Sequence, residues 1–70
     1  MNNRVRELRT ARKWTQAEFG KRIGVSRNSV MAIENSRHDP SLPLAFRIAR
    51  AFNLPVDQVF EAESEVDSFD

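Results

Sequence analysis

The sequence predicts an all-α fold, a bundle of five short helices in one small domain. Only two Gly and three Pro occur in 70 residues. No segment shows the β-branched alternation of a half-buried strand, and the apolar residues recur at three- and four-residue spacings. A chain of 70 residues is one domain, since domains run about 50 to 250. It buries only about 60% of its unfolded surface, so the core is thin.

Each helix has its punctuation. Asn2 or Asn3 can cap a first helix over about residues 4–13, with Val5 and Leu8 inward. Thr15 caps a second, in which Phe19 and Ile23 sit four apart, and Gly24 ends it as a residue able to take positive φ. Ser26 caps a third over about residues 27–35, with Val30 and Ile33 inward. The polar stretch Ser36 to Pro40 reads as a loop, because Pro40 disfavours helix just before it. Ser41 caps a fourth helix with Pro43 in its first turn, where the missing N–H costs nothing. Its residues Leu44, Ala45, Ile48, Ala49 and Phe52 form one buried stripe, and Asn53 suits a left-handed stop. A short fifth helix over about residues 56–60 completes the domain, and an acidic tail occupies 61–70.

Charge narrows the partner. The net +1 conceals an asymmetry: residues 1–60 hold all eleven Lys and Arg against five acids, a net +6, and 61–70 hold five acids and no base. A basic body with an acidic tail points to a polyanion, and nine of the eleven bases are Arg, suited to phosphates and guanine edges. Other chemistries recede. With no Cys and one His there is no disulfide framework and no protein-only zinc site, so no metal and no cofactor are expected. The longest apolar run, Val30 to Ile33, is far short of the about 20 residues of a membrane span or the about 7 of a signal peptide core. A reduced, cytosolic protein away from the membrane is the expectation.

The stretch from Gln16 to Asn35 decides the reading. Two helices joined by a three-residue turn containing Gly form a helix-turn-helix signature. Apolar residues fall at Phe19, Ile23, Val25, Val30 and Ile33, with Gly20 where the helices approach and Gly24 where the turn needs φ > 0. On these residues, together with Arg4-Val-Arg-Glu-Leu-Arg, Trp14-Thr-Gln-Ala-Glu-Phe, Ile23-Gly-Val-Ser-Arg, Ile33-Glu-Asn, Pro40-Ser-Leu and Val56-Asp-Gln-Val-Phe60, the sequence resembles the Xre family of Cro and lambda-repressor type domains. The resemblance covers about residues 3–60. It departs at Gly20, where the family commonly has Ala, at Ser36, often Gly, and at Pro55, often Ser or Thr.

The resemblance implies a lambda-repressor-like bundle with the motif in helices 2 and 3. The implied function is a small stand-alone transcriptional regulator, most simply a repressor, binding a two-fold operator as a homodimer. It would act in a prokaryotic cytoplasm, on the nucleoid when bound, and not as an enzyme. An antitoxin that holds a toxin on its other faces is the alternative.

Placing residues at 100° intervals around helix 3 puts its buried face at about 270°, counted from Arg27. Asn28 at about 100°, Asn35 at about 80°, Met31 at about 40° and Ala32 at about 140° then lie opposite. Asn pairs bidentately with adenine, Arg with guanine, and Met or Ala touches a thymine methyl. Arg27, Asn28, Met31 and Ala32 are therefore the candidate base contacts, against the bland reading of an ordinary solvated face. Phosphate contacts are expected from Ser26 and Ser29 and from Asn35, Arg37 and His38 at and after the helix end. Gln16 resembles the family's phosphate-binding Gln, and Arg37 its second backbone anchor. Lys13, Lys21 and Arg22 read as solvated charge. Family likeness also implies a partly buried Arg9–Glu34 ion pair tying helix 1 to helix 3, and a core position for Trp14.

Leu54, Val56, Val59 and Phe60 supply more apolar surface than one short helix can bury, so an isologous dimer interface is expected there, with Val59 and Phe60 also closing the monomer core. In the tail, Val66 and Phe69 alternate with acids. The tail can be a solubilising end, a dimer-assisting strand of the kind some relatives carry, or a phosphate mimic.

Overall fold

A computed structural model of the chain describes residues 2–61. The order is β1 (Asn2–Asn3), α1 (Val5–Ala11), α2 (Gln16–Ile23), α3 (Arg27–Glu34), α4 (Leu42–Phe52), a 3-10 turn (Val56–Gln58) and β2 (Phe60–Glu61). The acidic tail, with Val66 and Phe69, lies outside the described residues beyond Glu61.

The caps at α2, α3 and α4 are those the sequence specifies. Thr15 Oγ1 accepts from the Glu18 backbone N–H at 3.0 Å, and the Glu18 carboxylate accepts from the Thr15 N–H at 2.8 Å, a closed capping box. That second bond is the main reason the Glu18 carboxyl sits below its ordinary pKa. Ser26 and Ser41 accept from the backbone of Ser29 and Leu44. Gly24 and Asn53 both take left-handed conformations, at φ 79° and 58°, and stop α2 and α4. Helix α1 is shorter than expected at both ends. Arg4 occupies the cap position, with Asn3 Oδ1 accepting from Val5 N–H, and Lys13 turns left-handed at φ 60° to end it.

The expected fifth helix does not form, and four α-helices stand among the described residues. Pro55 starts a single 3-10 turn. Val59 ends the turn in the right-handed region, and the chain then passes into the strand that begins at Phe60; both side chains are buried. The segment is held from β1 and the start of α1: Asn3 pairs with Phe60 and Asn2 with Glu61 in an antiparallel ribbon, and the Arg4 N–H donates to the Val59 carbonyl at 2.8 Å. Two-residue strands give no alternation to detect.

Val5 and Leu8 of α1, Phe19 and Ile23 of α2, Val30 and Ile33 of α3 and the α4 stripe close on Val59 and Phe60 as one core. Phe19 and Phe52 stack at 5.0 Å, and Trp14 stacks on both at about 6 Å, as its expected core position requires. Arg12 ties α1 to α4 by donating to the Leu8 and Phe52 carbonyls.

Candidate nucleic-acid interface

Helix α3 is presented by a tight turn. A Cβ added at Gly20 would meet the Val25 carbonyl oxygen at 2.6 Å, so α2 and the turn approach more closely than any other residue allows. Past the turn, α3 buries Val30 and Ile33 and turns Arg27, Asn28 and Met31 to solvent, with Ala32 and Ser29 half-buried at the edges. The exposed face is the one the sequence indicates.

The orientation of α3 is fixed from its C-terminal end. Glu34 has a fully buried side chain, bridged by Arg9 Nε at 2.6 Å and Nη2 at 3.3 Å, with Arg6 Nε at 3.4 Å. Burial alone would push its carboxyl up. The hydrogen bonds from Arg9 and Gln16, with the Arg9 charge, outweigh that and hold it below its ordinary value. Arg9 also donates to the Trp14 carbonyl at 2.7 Å. One carboxylate therefore ties α1, the α1–α2 connection and α3 together.

Gln16 belongs to the same cluster, since its Nε2 donates to Glu34 Oε1 at 3.1 Å. Its backbone N–H heads α2, so a phosphate can be met by backbone while the side chain stays anchored. Asn35 is more constrained than its place on the wheel suggested. Its Oδ1 accepts from Arg6 Nη2 at 2.7 Å, which leaves the amide N–H₂ as the group able to donate outward. The Ser26 hydroxyl caps α3 and donates to Ser29 Oγ at 3.2 Å. Ser36 is left-handed at φ 58°, and the Arg37 N–H reaches back to the Ala32 carbonyl at 2.9 Å. That closure ends α3 and leaves the Arg37 and His38 side chains exposed beside it.

The bases fall into two groups. Arg4, Arg6, Arg9, Arg12 and Arg22 are engaged within the fold, Arg22 lying 4.2 Å from the Trp14 ring centre rather than simply solvated. Lys13, Lys21, Arg27, Arg37, Arg47 and Arg50 are exposed cations. Sequence reasoning missed Arg47, whose guanidinium rests 3.3 Å from where a Gly24 Cβ would be, and Phe46, half exposed on α4. The 3, 4, 7, 8 stripe of α4 would have exposed both by elimination.

At the other end, Val59 and Phe60 are buried in the monomer, and Leu54 and Val56 are partly exposed. They line a groove of about 510 Å³ with Phe46, Arg50 and Pro55. Among the described residues no His, Asp or Glu group is arranged to hold a metal ion, and no helix is long and apolar enough to cross a membrane.

A short α2, a glycine turn and an α3 whose polar face is free of the core define a helix-turn-helix domain. The helix-turn-helix family model matches residues 5–59, and the chain belongs to that family, in the Xre-type form its motifs resemble. It is 42% identical over 65 residues to an HTH-type transcriptional regulator of Bacillus subtilis, covering 93% of this chain and 98% of the relative. A regulator of Methanocaldococcus jannaschii is 38% identical over 65 residues, with the same coverages. Among solved structures, the P22 c2 repressor in complex with a synthetic operator matches with a TM-score of 0.80 and 27% identity, over 86% of this chain and 91% of that one.

Proposed function

We propose that the protein is a sequence-specific regulator of transcription that binds double-stranded DNA, acts as a repressor, and works in the cytoplasm as a homodimer. The observation that carries this reading is the clamped α3, with Arg27, Asn28 and Met31 on its outward face and no acid in its first turn. Arg27 and Asn28 read base edges, and Met31 and Ala32 make apolar contact with thymine methyls. The N–H of Gln16, the Ser29 hydroxyl and the side chains of Arg37, His38 and Asn35 hold the flanking phosphates, with Ser26 contributing through its cap of α3. The similarity to an operator-bound repressor supports this placement.

One domain covers a single half-site, so the reading includes a two-fold dimer with half-sites about 34 Å apart. Leu54 and Val56 are the apolar groups left for pairing, and Val59 and Phe60 support them from within the core. Selection from a random duplex pool tests the function. A recovered two-fold consensus, bound less tightly as salt rises, is the expected result; a pool that stays random refutes specificity.

A further inference from the structure

Helix α4 carries an outward face that neither the core nor the proposed DNA contacts use. Counted from Leu42, Phe46 lies at about 40°, Arg50 at about 80° and Arg47 at about 140°, away from the buried stripe. Leu42 is 66% and Phe46 51% exposed, the two most exposed large apolar residues among those described. The face is thus an apolar ridge bordered by two exposed cations, and it runs into the groove lined by Arg50, Leu54 and Val56. Single exposed apolar residues are ordinary, but a pair one turn apart beside a groove offers apolar surface that a complementary segment can cover.

We propose that this surface binds the chain's own acidic tail, residues 62–70, within the same molecule, so that at Leu54 and Val56 the tail competes with the proposed pairing of two copies. The tail has the complementary chemistry: Val66 and Phe69 are its apolar anchors, and Glu63, Glu65, Asp67 and Asp70 flank them. The exposed face of α3 is a poorer fit, since Met31 is its one exposed large apolar residue and leaves Val66 and Phe69 without a groove. Reach to the groove is sufficient. Val56 lines the groove and precedes Glu61 by five residues, so at most about 18 Å separates them, and nine extended residues span about 30 Å. Tethering makes the contact effective at millimolar local concentration even when each anchor is weak. The inference holds whether or not the protein binds DNA.

The chain has no Cys, so disulfide trapping in the full-length protein is a clean test. Two double variants carry Ser68→Cys, one with Pro43→Cys on α4 and one with Asn28→Cys on α3; circular dichroism first confirms that both fold. In dilute solution the Pro43→Cys pair should close within one chain about tenfold faster than the Asn28→Cys pair. Adding Phe69→Ser, or Arg47→Glu with Arg50→Glu, should remove the difference. Equal closure rates, faster closure onto α3, or bridges formed mainly between chains would overturn the proposal.

Discussion

Glu34 shows how much of the site rests on one carboxylate. Three side chains converge on it, and its pKa is lowered although its side chain is fully buried. A carboxyl held below its ordinary value stabilises the fold above about pH 4.3, and that contribution is lost as pH falls through the lowered value. Acid unfolding followed by circular dichroism should therefore show a step below about pH 4 that Glu34→Gln removes. Glu34→Ala, which leaves Arg9 buried and unpaired, should cost about 3 kcal/mol in denaturant melts. The proposed DNA contacts separate by role. Arg27→Ala should cost about 1 to 3 kcal/mol on the preferred duplex and relax its sequence preference, whereas Arg37→Ala should weaken specific and random duplexes by similar factors. Gel-shift titrations distinguish the two, and identical behaviour of both variants would reverse the assignment. The exposure of Arg27, Asn28 and Met31 was legible because helical periodicity alone separates the faces of α3. The engagement of Asn35 by Arg6 was not, because it depends on a residue 29 positions away.

Among the elements, α2, α3 and α4 follow directly from their caps. Each begins at a Ser or Thr whose hydroxyl accepts a backbone N–H, and α2 and α4 end at Gly24 and Asn53 in the left-handed region. Those signals are local, so the sequence carries them openly. The segment after Pro55 is a 3-10 turn closed by its own bonds, from Gln58 N–H to Pro55 and Val59 N–H to Val56, and then a strand. The strand's partners, Asn2 and Asn3, lie at the far end of the sequence, which is why the strand was not legible. The α2–turn contact gives a sharp test at this scale. Helix propensity favours Ala over Gly at position 20 by about 1 kcal/mol. The 2.6 Å approach of the Val25 carbonyl opposes it, and backbone cannot yield as a flexible side chain does. Gly20→Ala should therefore destabilise the protein by about 1 to 3 kcal/mol in thermal or urea melts. A gain in stability would show that the turn is looser than its geometry implies.

At the scale of the molecule, charge and apolar surface divide the labour. Five arginines have partners within the fold, but only Arg9 is largely buried; Arg4, Arg6, Arg12 and Arg22 stay exposed and keep their charge at the surface. The exposed cations also include Arg27 and Arg37 at the two ends of α3. Pairing through Leu54 and Val56 predicts that Leu54→Asp yields a folded monomer with weakened operator binding, measurable by sedimentation at micromolar concentration. An unchanged dimer would move the interface elsewhere. The central claim, that α3 reads DNA sequence, is tested most directly by one comparison: the affinity of the unmodified protein and of Asn28→Ala for the selected duplex and for a scrambled one, at two salt concentrations. The expected result is a preference for the selected duplex that Asn28→Ala reduces by about 1 to 3 kcal/mol, while both proteins lose affinity alike as salt rises. Equal affinity of the unmodified protein for the two duplexes, or a preference that survives Asn28→Ala intact, would contradict it.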